Sequence, residues 1–259
     1  MKKNTVLPVK TRVVRYCAVI MVIALFLLAF FYLNLDISRF VSRLGNAPRI
    51  LRLLMQVNPT MIIPGFQQFF ISFVMGVTGL ILGGALAVVL AFLGAANIAP
   101  WRPLSIFIKA YVSVIRAVPS LVIMLLIVAA IGLGYTTGVL GLTISSMGYL
   151  TKAFIASIEE QDRGIITAMR ATGANWGQIV VHGLLPTVAT AFLAWLAIRL
   201  ETSVAESITL GVVGAGGIGA LLSRSIRRFD YPSITVLILI IFVCMFTLEL
   251  VASWVRKKI

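Results

Sequence analysis

Apolar residues gather in six long runs along this chain, at 16–35, 69–93, 106–133, 138–157, 187–210 and 233–254, with polar breaks between them. Each run is at least about the 20 residues that an α-helix needs to cross the hydrocarbon of a bilayer. The pattern predicts an all-α, polytopic bundle of about six transmembrane helices. Lys109, Arg116 and Pro119 interrupt the third run, and Gly, Ser and Thr dilute the fourth. The second carries Gly79, Gly83, Ala87 and Ala91 at intervals of four, a row of small residues that lets a neighbouring helix approach backbone to backbone. The segment 36–65, with Pro48, Pro59 and Pro64, is the sizeable external connection and predicts a short amphipathic piece on the membrane surface. One domain follows: residues 1–65 supply an N-terminal helix and this connection, and residues 66–259 the bundle proper.

Composition supports lipid as the solvent. Of 259 residues, 60% are hydrophobic and 12% charged, against about 45–50% and 25% in soluble domains. The net charge of +14 would suggest nucleic acid in a soluble protein. Here much of it flanks apolar runs, where it orients helices, so no nucleic-acid partner is expected. The basic start (Lys2, Lys3, Lys10, Arg12, Arg15) argues for a cytoplasmic N-terminus, and six spans return Arg256, Lys257 and Lys258 to the same side. The first run is too long for the core of a signal peptide and is expected to be retained. Seven arginines (Arg39, Arg43, Arg49, Arg52, Arg224, Arg227 and Arg228) then fall outside, as contacts for lipid headgroups or as a surface favouring an anionic solute or acidic partner. Cys17 and Cys244 are expected as buried apolar thiols, and neither they nor His182 have metal-ligand spacing, so no metal or cofactor is expected.

Gly214-Ala-Gly216-Gly-Ile-Gly219 satisfies the dinucleotide fingerprint G-x-G-x-x-G. That motif needs a parallel sheet and an acid about 20 positions on. Asp230 is too near and an apolar run begins just after it, so the glycines are expected to break the chain after the fifth span.

The long polar stretch 159–185 holds Glu159, Glu160, Asp162, Arg163 and Arg170, then Gly173 and Trp176, and ends on Leu184-Leu185-Pro186. A helix, a glycine turn and a second helix would make a hairpin projecting below the membrane, with Pro186 opening the next span. Thr167-Ala168-Met169, three residues, Gly173, nine residues and Gly183-Leu184-Leu185-Pro186 resemble the EAA loop of ABC importer permeases, E-A-A, three residues, Gly, nine residues, I-x-L-P. Thr167 stands where that pattern has Glu, Met169 where it has Ala and Gly183 where it has Ile. Arg116-Ala-Val-Pro119, Val128-Ala-Ala-Ile-Gly-Leu-Gly134, Arg170-Ala-Thr-Gly-Ala-Asn175, Arg199-Leu-Glu201 and the glycine segment together resemble phosphonate-type permeases, although Ala205 stands where that group has Arg.

The resemblance implies a type I ABC importer permease in the cell membrane, N-in and C-in, with no catalytic residue of its own. It implies coupling through Thr167, Ala168, Met169, Gly173, Leu185 and Pro186, and a path for phosphonate or a related small oxyanion such as phosphite or hypophosphite. It also implies a second copy of the chain, separate ATPase subunits and an extracytoplasmic solute-binding protein as partners, within membrane lipid. An importer of an amino acid would share the hairpin and differ in the path. An ATP-independent carrier would leave the EAA-like spacing as coincidence.

Ionisable residues inside spans mark functional positions by default. Arg199 and Glu206 lie seven apart, on one face of the fifth span, while Glu201 points about 200° away from Arg199. The first pair is expected either to line the path or to lock the bundle, and Glu201 to meet another helix or a partner. Arg116, beside Pro119, is expected near a helix distortion that anchors a gate.

Overall fold

The computed structural model describes residues 9–33 and 36–258, and its described residues form helices and turns without strands. Lys2, Lys3 and Leu35 lie outside them. Two compact units divide at Arg52 and Leu53. The first contains α1 (Val9–Tyr32), basic at its start and apolar beyond Arg15, then α2 (Ile37–Leu44) and the start of α3 (Ala47–Leu54). Asp36 caps α2 by accepting from the Arg39 amide at 3.0 Å. That bond and the Ser38 hydroxyl hold its carboxyl below the usual carboxylate range. Both short helices are amphipathic, with Ile37, Phe40, Val41 and Leu44 on one side of α2 and Arg39 and Arg43 on the other. Cys17 is exposed on α1, contrary to the expected burial, and no residue of that helix's apolar stretch, Val14–Tyr32, is buried.

The second unit is built around α4 (Ile62–Gly94) and α7 (Tyr135–Glu159). A Cβ on Gly79 would come within 2.5 Å of Leu142, and one on Gly83 within 2.6 Å of the Thr143 carbonyl oxygen. The small-residue row thus brings the two backbones together. Packing and close polar contact hold helices in lipid, where hydrophobicity between them is weak. The long helix α10 (Leu185–Leu210) joins the same stack through hydroxyls: Ser203 donates to Gly76 O at 2.9 Å and Ser207 to Ser72 O at 2.8 Å. The last helix, α12 (Tyr231–Lys258), covers α10 and α4.

Among the described residues, five helices are long and apolar enough to cross a membrane, and a sixth crossing arises if one bent pair counts as a span. That pair occupies the expected third span. It is α5 (Arg102–Ala117) and α6 (Ser120–Ile131), bent by 90°. Pro119 lacks an amide hydrogen and pushes Val118 into extended geometry, φ −89° and ψ 124°, which ends α5.

The glycine segment forms a π-helical turn, Gly211–Ala215, kinked at Gly214 with φ 118°. It is followed by a helix that periodicity did not predict, α11 (Gly217–Arg227). Its Ile218 amide donates to Ser72 Oγ at 3.1 Å, and a side chain on Gly216 would collide with the Tyr135 ring. The fingerprint is a packing device against α4 and α7.

Replacing Gly83 with Leu is expected to lower stability by at least about 1–3 kcal/mol, the usual range for overpacking. Its Cβ would meet Thr143 O and Met147 N, which cannot move independently of α7. Thermal unfolding in detergent checks this against Gly45→Ala, whose nearest neighbour stands at 3.6 Å. Equal melting midpoints for the two variants would refute the backbone-contact account.

Candidate functional site

Arg199 is buried on α10, 4% exposed, and its charge is answered from its own helix. Nη1 donates to Glu206 Oε1 and Nη2 to Glu206 Oε2, both at 2.8 Å. A spacing of seven residues makes this fork possible, because two helical turns bring the side chains to one face. The neighbouring helix α7 completes the donor set: Arg199 Nε donates to Ser146 Oγ at 3.2 Å and Nη2 to Ser145 Oγ at 2.9 Å. Ser145 Oγ in turn donates to Glu206 Oε2 at 3.1 Å. Thr202 accepts from Nη1 at 3.3 Å.

Glu206 is the open side of this pair, its side chain 26% exposed against 5% for Arg199. It faces a cavity of ≈250 Å³ that also contains Arg116, Tyr149 and the Pro119 bend. Tyr149 lies between two cations, with the Arg199 Cζ 5.4 Å and the Arg116 Cζ 5.9 Å from its ring centroid. Each guanidinium is attracted to the ring's negative face. Arg116 itself is exposed to the cavity and has no carboxylate partner among the described residues. The site therefore offers one neutralised cation, one free cation and hydroxyls, which suits a small anion. The end of α5 at Pro119 sets Arg116 at this level.

Sequence reasoning brought Arg116, Arg199 and Glu206 to attention but not Ser145, Ser146 or Tyr149. Ser145, Tyr149, Lys152 and Glu159 recur every three to seven residues on one face of α7, and that stripe was the available signal. Glu201 does not join the cavity. It is half-buried on another side of α10, without an ion pair or hydrogen bond among the described residues.

The second region is the polar hairpin. Helix α8 (Arg163–Ala171) starts at Asp162, whose side chain accepts from the Gly164 amide, and stops at Gly173, φ +79°, where glycine takes the left-handed turn freely. Asn175 and Gln178 form a reciprocal cap on α9 (Trp176–Gln178). The chain then leads through a π-helical turn, Ile179–Leu184, directly into α10, which holds Pro186 in its first turn as expected. The Leu185 amide closes the π-helical turn by reaching back five residues to Val180 O.

Thr167 and Ala168 are exposed on α8, while Met169 is half-buried against Gly183, which leaves no room for a side chain there. Leu185 and Pro186 are exposed on the following helix. Ile166, Ile179 and Leu184 enter the main core with Phe92, Phe154 and Phe192. The Phe154 and Phe192 rings stack at 3.9 Å. Trp176 Nε1 donates to Ile98 O at 2.8 Å, and Asn97 Nδ2 to Ile158 O at 2.8 Å. The hairpin thus shares its packing and hydrogen bonds with α4, α7, α10 and the loop after α4.

Residues 87–259 match the family described as binding-protein-dependent transport system inner membrane component. The chain is 34% identical over 184 residues to the phosphate-import permease protein PhnE of Mycolicibacterium smegmatis, covering 71% of this chain and 35% of that protein. It is 34% identical over 184 residues to the phosphite transport system permease protein PtxC of Stutzerimonas stutzeri, covering 71% of this chain and 66% of that one. The match therefore spans about a third of the first relative and just under two thirds of the second. Among solved structures, a chain of the MetNI methionine ABC transporter in an inward-facing conformation superposes with a TM-score of 0.65 at 21% identity. The alignment covers 78% of this chain and 99% of that chain. The fold is the expected type I importer permease fold.

Arg199→Gln alone leaves a carboxylate in a half-buried site, and removing one partner of a buried pair costs about 3–5 kcal/mol. The double variant Arg199→Gln/Glu206→Gln is expected to regain most of that loss. Thermal midpoints of the four proteins in one cycle check it. A double variant as unstable as the sum of the singles would mean that the pair is not coupled.

Proposed function

Because the chain belongs to the family of binding-protein-dependent transport system inner membrane components, we propose that it is the permease subunit of an ATP-driven importer for phosphonate or a related small oxyanion. The observation that carries the cargo is Arg116, a cation without a carboxylate, in a cavity that Arg199, Glu206 and Tyr149 share. Relatives named for phosphate import and phosphite transport support the same chemical class.

The permease domain, 66–259, supplies half of a pathway, and a second copy supplies the other half. ATPase subunits dock on the cytoplasmic face of the hairpin, at Thr167, Ala168, Met169 and the Gly173 turn, with Leu185 and Pro186 at its root. Nucleotide-driven closure of those subunits moves the two hairpins together. Because each hairpin shares a core with α4, α7 and α10, the bundles rock between inward and outward states as rigid bodies. An extracytoplasmic binding protein delivers the cargo, so the path needs only weak affinity. A conduit that held its cargo tightly would not release it.

In the cavity the anion meets Arg116 first. Tyr149 keeps both guanidiniums oriented, and Glu206 keeps Arg199 from acting as a trap. Release follows when the bundles separate and water re-enters. Glu201, outside the cavity, faces the second copy.

The reconstituted complex of this chain with its ATPase and binding protein is expected to hydrolyse ATP faster with phosphonate, phosphite or hypophosphite than with methionine. Stimulation by methionine alone would overturn the oxyanion assignment. Gly173→Val, which places a β-branched residue at φ +79°, is expected to abolish that stimulation while the chain still inserts and assembles. Full coupling in this variant would remove the hairpin from the mechanism.

A further inference from the structure

The cavity at Arg116 is not the only polar recess on this side of the bundle. One turn nearer the hairpin, a second cavity of ≈290 Å³ lies between α5 and α7, lined by Lys109, Ser113, Lys152 and Glu159 among apolar walls. Lys109, Ser113 and Arg116 follow one another at intervals of four and three along α5. Ser145, Tyr149, Lys152, Ala156 and Glu159 do the same along α7. Such intervals put each set on a single helix face. The two cavities are therefore consecutive stations of one groove. From Ser145 to Glu159 the groove is about 21 Å long at 1.5 Å per residue, a large part of the roughly 30 Å hydrocarbon thickness.

Charge along this groove is unbalanced. Arg199 is neutralised by Glu206. Lys109 Nζ lies 2.7 Å from Glu159 Oε1, an atom that also accepts from the Ala96 amide at 2.7 Å. Arg116 and Lys152, which lie between these two pairs, have no carboxylate among the described residues. Both are exposed to the groove. Unpaired cations at membrane depth are costly unless they serve a pathway or meet water.

Resting on the importer reading above, we infer that this α5–α7 groove is the inward leg of the path, and that Lys152, with Lys109 behind it, is its exit station for a small oxyanion. An anion leaving Arg116 finds the next free cation at Lys152, one turn along α7 from Tyr149. Glu159 then limits how firmly the last cation holds it. Two free cations flanked by neutralised ones let the anion advance without a deep well, which a conduit requires. The same chemistry would also hold a lipid phosphate, and the test separates the two.

The test uses the full chain, with Cys17 and Cys244 replaced by Ser and carrying Lys152→Cys, reconstituted with its ATPase. The probes are two water-soluble thiol reagents of opposite charge, methanethiosulfonate ethylsulfonate and methanethiosulfonate ethyltrimethylammonium. The groove is expected to favour the anionic reagent by about tenfold, within the range by which a charged cleft concentrates its counter-ion. Methylphosphonate is expected to slow the labelling in vesicles of phosphatidylcholine alone. No reaction, or equal rates for the two reagents, would overturn the inference. So would protection that follows phosphatidylglycerol in the vesicles but not soluble methylphosphonate, because the groove would then hold lipid. The charge preference is read without cargo, so it stands or falls separately from cargo-stimulated ATP hydrolysis. In uptake, Lys152→Glu is expected to lose most of the rate and Lys152→Arg to keep it; equal rates would count against the exit station.

Discussion

A guanidinium inside an apolar bundle has to be answered, and the way Arg199 is answered organises the rest of this structure. Glu206 takes both terminal nitrogens at 2.8 Å, while Ser145 and Ser146 tie the same group to α7. Because the carboxylate comes from the same helix, the pair survives movement of α10 relative to its neighbours. Because the hydroxyls come from α7, it also sets the register between the two helices. Glu206 remains open to the cavity, so one ion pair serves both packing and polarity of the recess. Sequence alone left open whether the pair locks the bundle or lines a path; in the structure it is hydrogen-bonded to α7 and borders the cavity.

Around that pair, the bundle uses the means available in lipid, where apolar surface gives little drive for helix association. Small residues bring α4 and α7 into backbone contact, and serine hydroxyls from α10 reach carbonyls of α4. At the hairpin end the means change to aromatic and aliphatic packing, with Trp176 and Asn97 fixing the loops by hydrogen bonds. Helix α7 takes part in both the packed hairpin end and the polar cavity.

Much of this was legible in the sequence. Long apolar runs gave the crossings because a helix must satisfy its backbone internally in lipid, and the spacing of Arg199 and Glu206 put them on one face. Pro119 was visible as an interruption, yet the third run was counted as a single span because composition does not report a 90° bend. Pro186 was legible as a helix start and lies in the first turn of α10, but the π-helical turn that leads into it was not visible. Helix α11 was hidden by its glycines, whose close packing on Ser72 and Tyr135 depends on residues far away in the chain. Tyr149 was missed for the same reason: fifty positions separate it from Arg199, and only the fold brings the ring beneath the cation.

The central claim is that a free positive charge at Arg116 carries an oxyanion through the bundle. The most direct measurement is uptake of labelled methylphosphonate into proteoliposomes by Arg116→Lys and Arg116→Gln, with the binding protein and ATPase held constant. The account predicts that Lys retains most of the transport rate and that Gln loses about tenfold or more, since only the former keeps the charge that meets the anion. Equal transport by Gln and the unaltered chain would contradict it.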